Sequence, residues 1–417
     1  MERRQRGLRC QVCTGCGLCP GVTATDSTAG KMHILTENLF AGSQPFPKGK
    51  RLAVADIGTT TVAMLLYAAD GTVCDRYVAV NPQTSHGADV ISRIRAAEDE
   101  AVAKELQQLV MRVLESGLQR FYSHLAPEES LLLVLAANTT ETYLLMGWDT
   151  SELGCAPFRV SHRDAVRTAF GGNAGGALAD AFIFPGLSAF VGGDITADIY
   201  ACGMAEKPEL TLLIDLGTNG EIVLGNSARR IACSTAAGPA FEGGVNKGIW
   251  GADMVRLLAT LRREGILDED GLLGERYFEQ GIRIGNVCVT QEAVRAIQLA
   301  KAAILAGITV LFEKYGIEEE QVEQVILAGG FGYYLKPEDA AEIGLLPARL
   351  ADRAVPGGNM VLAGAKRAGR KLLTGEYSSL EQDLKEIGSG TEIVNLADEP
   401  EFAGLYIAGM ALRSYAR

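Results

Sequence analysis

The chain has 417 residues, 47% hydrophobic and 22% charged, the balance of a globular protein with room for two or three domains and a sizeable core. Its formal net charge of −12 argues against nucleic acid, whose phosphates demand clustered Lys and Arg, and against an anionic membrane surface. The start, Met1-Glu2-Arg3-Arg4, lacks the apolar stretch of a signal peptide, and apolar runs such as 131–137 are too short to span a bilayer, so a cytoplasmic protein without nucleic-acid or membrane partners is expected.

Residues 1–50 are expected to form a cysteine-rich segment and a linker. Cys10, Cys13, Cys16 and Cys19 recur at three-residue intervals and are followed by Pro20, with Gly15 and Gly17 freeing the loop to wrap a compact centre. Thiolates suit iron–sulfur clusters and zinc alike. Structural zinc usually draws its ligands from two separated pairs, and a plant-type cluster needs C-x4-C-x2-C, so neither pattern fits well. The bacterial ferredoxin run is nearer, although the last interval here is one residue short of it. A [4Fe–4S] cluster is the leading expectation, with zinc, unligated thiols and disulfides as alternatives. Residues 21–50 end in Pro45-Phe46-Pro47, which stiffens the linker. The remaining cysteines, Cys74, Cys155, Cys202, Cys233 and Cys288, read as small core residues in a reducing compartment.

Residues 51–209 read as a first lobe. An extended pair at 52–67 and 72–80 contains Asp56-Ile57-Gly58-Thr59-Thr60-Thr61, a strand end, a tight turn of phosphate size and a returning strand. An amphipathic helix near 98–125 and a buried strand near 130–137 follow, and Asn138-Thr139-Thr140-Glu141 opens the next helix, with the hydroxyl at Thr140 as its cap. His86 reads as a surface histidine. A helix over 192–203 carries small residues on one side, as close packing at a hinge requires, with Asp194 at its start.

Residues 210–417 read as a second lobe. Strands at 211–216, 220–225 and 229–233 surround a second such turn, Asp215-Leu216-Gly217-Thr218-Asn219-Gly220-Glu221, and a Gly-rich loop at 236–244 follows as a candidate substrate or nucleotide loop. Helices near 250–264, 290–316 and 358–374 are expected to cover the sheet. Between the last two, a buried strand runs into Gly329, Gly330 and Gly332, where missing side chains let a flat adenine or ribose lie against backbone. Strands followed by helices in both lobes predict an α/β protein with two mixed sheets flanked by helices.

The repeated turn suggests two related lobes facing one nucleotide. Gly58 and Gly217 bring N–H groups close to phosphate, and Thr59, Thr60, Thr61, Thr218, Asn219 and Gly220 add donors without bulk. Asp56 and Asp215 suit a hydrated Mg²⁺ held by one or two carboxylates plus phosphates. Asp194, with Glu221 second, is the candidate for orienting an attacking water.

The ordered set DIGTTTV, DITADIYACG, DLGTNGE and LAGGFG resembles the phosphate, connecting and adenosine motifs of the actin, sugar kinase and heat-shock chaperone ATPases, and 357–365 resembles their second connecting helix. Asn81-Pro82-Gln83, the run from Gly87 to Ile94, Thr290-Gln291 with 298–304, and Ile343-Gly344-Leu345-Leu346-Pro347 are similar to the reductive activators of corrinoid proteins, over roughly residues 51–417. The resemblance implies a two-lobed actin-like fold of duplicated ribonuclease H-like lobes. It further implies an ATP hydrolase that returns an inactivated corrinoid to Co(I), with ATP, Mg²⁺ and an iron–sulfur cluster, a corrinoid protein and a low-potential electron donor as partners, and room for a homodimer. The amino terminus departs from those activators, which carry a plant-type ferredoxin domain and a linker domain there. An activator of radical dehydratases, a small-molecule kinase of the same superfamily and a nucleotide-gated scaffold are the alternatives.

Overall fold

The computed structural model describes residues 35–37, 40, 42, 44–170, 179–238, 251–284 and 287–413. The four cysteines at 10–19 and the part of the Gly-rich loop from 239 onward lie outside them. Two six-stranded mixed sheets carry the fold, as the strand pattern predicts. The first holds β1 (Lys50–Ile57), β2 (Thr61–Tyr67), β3 (Val73–Val80), β4 (Ser130–Ala137), β5 (Val166–Phe170) and β6 (Ala179–Ile183) in the order β3-β2-β1-β4-β6-β5. The second is built from β7 (Thr211–Leu216), β8 (Gly220–Gly225) and β9 (Arg230–Thr235). A small hairpin of β10 (Ile282–Ile284) and β11 (Val287–Val289) stands apart, and β12 (Gln324–Ala328), β13 (Ala354–Gly358) and β14 (Thr391–Ile393) complete the sheet as β13-β12-β7-β8-β9-β14.

Matching the two orders exposes the duplication. In each sheet an antiparallel meander (β1 to β3, β7 to β9) is joined through its first strand to a parallel neighbour, β4 in one and β12 in the other. The central strands β1 and β4 are near-continuous apolar runs, as strands covered on both faces must be. Edge strand β3 alternates exposed and half-buried positions.

Helices cover the sheets. The first half contributes α1 (Val90–Ala96), α2 (Glu100–Tyr122), α3 (Thr139–Met146), α4 (Ser151–Gly154) and α5 (Gly193–Cys202). The second contributes α6 (Gly251–Arg263), α7 (Glu275–Phe278), α8 (Gln291–Tyr315), α9 (Gly329–Tyr334), α10 (Pro337–Glu342), α11 (Met360–Leu373), α12 (Tyr377–Gly390) and α13 (Phe402–Ala408). Their starts are written in the sequence. Asp89, Asp99, Asn138, Thr290 and Asn359 each accept a backbone N–H of the first turn at the head of α1, α2, α3, α8 and α11. The cap of α3 is Asn138, not the Thr140 hydroxyl, because the helix begins two residues earlier than that cap would set it. Among the described residues only α8 is long and apolar enough to cross a membrane, and it lies buried in the second lobe against β8 and β9.

Helices α5 and α11 lie between the sheets. Gly364 of α11 meets the Ala197 carbonyl of α5 so closely that a Cβ has no room, and Gly369 faces Leu52 of β1 in the same way. The change of sheet at residues 209–210 therefore does not divide the packing, since α11 lies back on β1 and β4. One core runs from Leu52 and Val134 through Ala197 and Ala365 to Leu213 and Ile326. Cys202 and Cys233 are buried as expected, whereas Cys74 and Cys155 are exposed and Cys288 half-buried, because β3 is an edge strand and Cys155 follows the short α4.

Candidate functional site

Equivalent positions of the two sheets build the site. Asp56 ends β1 next to a turn closed by the Gly58 N–H donating to the Thr61 carbonyl at 2.9 Å; Asp215 ends β7 next to a turn closed by Gly217 N–H donating to the Asn219 carbonyl at 3.0 Å. The turns face each other across the lobes: the Thr60 and Thr218 hydroxyls are 3.1 Å apart. Thr60 and Thr218 thus meet where the two turns face each other.

The four expected carboxylates converge there. Burial pushes Asp56 up to about 7, assisted by the charges of Asp215 and Asp194 and opposed by a hydrogen bond from Asn359. Burial likewise raises Asp194 to about 7, against the Ile195 N–H and with Asp215 adding to the rise. Asp215 is raised to about 6 by burial, and Glu221 well above its usual range by burial and by Asp194 and Asp215. Glu221 stands directly opposite Asp215 across the β7–β8 pair, while the residue opposite Asp56 is Ala63, so the duplication is asymmetric at this position. Like charges opposite one another in a sheet cost stability, which marks the second turn as a place where function outweighs it.

A fifth carboxylate was missed. Asp198 lies one turn after Asp194 on α5, fully buried, and neither of its oxygens has a hydrogen-bond partner of ordinary geometry. Burial first, then Asp215 and Asp194, raise it far above its usual range, and Asp215 is the neighbour with which its hydrogen would be shared. The i, i+4 spacing from Asp194 was the signal that could have found it, since such pairs share a helix face.

Behind the first turn lies a buried polar network. Arg93 pairs with Glu141 at 2.6 Å, both side chains fully buried, and donates to the Thr59 carbonyl and to Gln83. Asn81 donates to the Gly58 carbonyl at 2.9 Å and to Glu141. Asn138 caps α3 and also donates to the Thr59 hydroxyl at 3.1 Å. Gly192 packs directly on Asn138 and Thr139, tying the start of α5 to the same turn. His86 is half-buried beside Glu105, outside the network.

The expected adenosine glycines divide. A Cβ on Gly329 would strike Asp215 and the Leu216 carbonyl, and Gly329 has a φ of +76°; one on Gly332 would strike Leu327; one on Gly220 would strike Thr235 and Ile304. Packing therefore demands glycine at 329 and crowds 332 and 220 less severely. Only Gly330 has open space, with the nearest atom, Leu35 Cβ, 4.0 Å from where its own Cβ would stand. The glycines also do not form an extended stretch, because α9 begins at Gly329 itself.

Among the described residues no three His, Cys, Asp or Glu side chains form a metal cage on their own. Magnesium needs none, since it keeps several waters and completes its shell with substrate phosphates. Two like-placed aspartates beside two hydroxyl-rich turns are the donor set that such an ion takes.

Comparison with known proteins places these features in a family. The RACo middle region matches residues 52–207, and the C-terminal domain of RACo, the ASKHA domain, matches 209–247 and 245–416. The corrinoid activation enzyme RamQ of Eubacterium limosum is 29% identical over 84% of this chain and 68% of its own length. The Co(II) methylated amine-specific corrinoid protein reductase of Methanosarcina barkeri is 26% identical over 44% of this chain and 43% of its own. A solved reductive activator for a corrinoid, iron–sulfur protein superposes with a TM-score of 0.76 at 28% identity, covering 89% of this chain and 67% of that one.

Proposed function

The chain belongs to the RACo family, whose middle region and ASKHA domain it spans, and on that premise we propose that it is an ATP hydrolase that restores the Co(I) state of a corrinoid protein. The observation that carries this reading is the meeting of two duplicated turns, Thr60 against Thr218, with Asp56 and Asp215 at the neighbouring strand ends. The relatives whose names specify corrinoid activation support the substrate.

In this reading Thr59, Thr60, Thr218 and Asn219 hold phosphate oxygens, while the Gly58 and Gly217 amides are spent on closing the two turns and hold their shape. Asp56 and Asp215 are the carboxylates that would take Mg²⁺, which neutralises charge building on the phosphates. Asp194 orients the attacking water and Glu221 stands next to it. The open side of Gly330 borders the adenosine half. ATP and water become ADP and phosphate, and closure of the lobes on the triphosphate converts binding into rotation about α5 and α11.

Cys10, Cys13, Cys16 and Cys19 are proposed to hold an iron–sulfur cluster, of the [4Fe–4S] type, which when bound supplies a one-electron relay. One electron from a low-potential donor takes Co(II) to Co(I), an uphill step that ATP couples through the two lobe arrangements. The work is done in the cytoplasm. Anaerobic reduction of a Co(II) corrinoid protein, followed by its visible spectrum, tests the reading. Native protein with ATP and a low-potential reductant yields Co(I), and Cys13→Ser with Cys16→Ser loses that yield while retaining ATP turnover. Co(I) formed equally well without ATP refutes the coupling, and equal loss of both activities in the serine variant refutes the relay in favour of a structural metal.

A further inference from the structure

The segment that leads from the cysteine run into the first sheet is fastened to the nucleotide site by one side chain. Asn359, at the head of α11, donates from Nδ2 to Asp56 Oδ2 at 2.7 Å and to the Leu35 carbonyl at 3.3 Å, and its own backbone N–H donates to the Glu37 carbonyl at 2.7 Å. Its Oδ1 caps the helix through the Leu362 N–H at 2.9 Å. Every polar group of the residue is therefore committed at once. Leu35 and Thr36 are buried, Leu35 beside the open side of Gly330, and Glu37 pairs with Arg76 at 3.3 Å. Seven residues along the same helix, Lys366 donates to the carbonyls of Gly42 at 2.6 Å and Gly71 at 2.8 Å. The linker is thus held at two places along α11, the helix that joins the second sheet to the first.

An amide nitrogen has two hydrogens in one plane. With one held by Leu35, the other is aimed at Asp56; without Leu35, the amide plane loses one of the three bonds that fix it, the others running to Leu362 and Asp56. Resting on the nucleotide assignment above, we propose that Asn359 is a positioning residue that couples the docked linker at 35–37 to Asp56, so that linker docking and Mg²⁺–nucleotide binding strengthen each other. Such coupling is reciprocal by thermodynamic necessity: the factor by which nucleotide tightens the linker equals the factor by which the linker tightens nucleotide. The cysteine segment would then report the state of the cleft through 35–37.

The test uses the full chain, a non-hydrolysable ATP analogue with Mg²⁺, and hydrogen exchange of the peptide covering 35–37 read alongside analogue affinity. In native protein the analogue slows exchange there by roughly 5-fold or more, the lower end of ordinary coupling. Leu35→Ser, which loosens the linker without touching the carboxylates, weakens the analogue by that same factor. Asn359→Asp keeps the helix cap, because aspartate caps as well as asparagine, yet loses the donor to both partners; a variant with native circular dichroism should bind the analogue more weakly and show no effect of it on 35–37. Native protein that binds the analogue with exchange at 35–37 unchanged, or Leu35→Ser with native affinity, overturns the coupling alone. Native protein that binds no analogue overturns the nucleotide assignment and the coupling with it.

Discussion

At the residue scale, the carboxylates of the cleft work against the fold. Asp56 and Asp194 titrate at about 7 and Asp215 at about 6, whereas an unfolded aspartate titrates near 4. The folded chain therefore binds protons that the unfolded chain has released, and stability falls as pH rises from about 4 to about 7. Thermal unfolding of nucleotide-free protein should show that decline, and Asp198→Asn, which keeps the shape and removes one of the groups that the folded chain holds protonated, should flatten it; a stability that rises over the same interval contradicts the burial of these groups. Behind the turn the argument reverses. Arg93→Met leaves Glu141 buried without its cation, which costs about 3–5 kcal/mol, measurable as a lower denaturation midpoint; an unchanged midpoint would show that the network bears no weight. The two aspartates, the hydroxyls and Glu221 were legible in the sequence because the same turn occurs twice. The work of Asn359 was not, since it depends on which helix face meets the cleft, and Asp198 showed only in its i, i+4 spacing from Asp194; at Gly329 the sequence did not reveal that the Asp215 carboxylate and the Leu216 carbonyl leave a side chain no room.

At the scale of elements, the proposed hinge is a contact between backbones. The helices α5 and α11 approach through Gly364 and Ala197, and a methyl at 364 has only carbonyl backbone to push against. Gly364→Ala should cost about 1–3 kcal/mol as overpacking and lower ATP turnover further than the lost stability explains, because the proposed cycle rotates the lobes about this contact; urea midpoint and turnover together decide it. Turnover matching the native rate per folded molecule would show that the contact only packs. Strands β7 and β8 and the helices α2, α6, α8 and α11 could be read from apolar periodicity and capping residues. The edge strands β5, β13 and β14 could not. They are three to five residues long, too short for a periodicity to show, and β14 pairs with β9, about 160 residues earlier.

At the scale of the molecule, duplication explains the architecture: two sheets that share a five-strand order, β3-β2-β1-β4-β6 and β9-β8-β7-β12-β13, present the same turn to a shared cleft, and divergence at one paired position, Ala63 against Glu221, gives the lobes different chemistry. The whole account depends on both lobes holding one nucleotide together. Calorimetric titration with a non-hydrolysable ATP analogue and Mg²⁺ tests this most directly, in native protein, Asp56→Ala and Asp215→Ala. One site per chain is predicted, weakened by roughly tenfold or more, about 1.4 kcal/mol, by the substitution in either lobe. Native affinity in either variant would mean that one lobe binds alone, and would contradict the account.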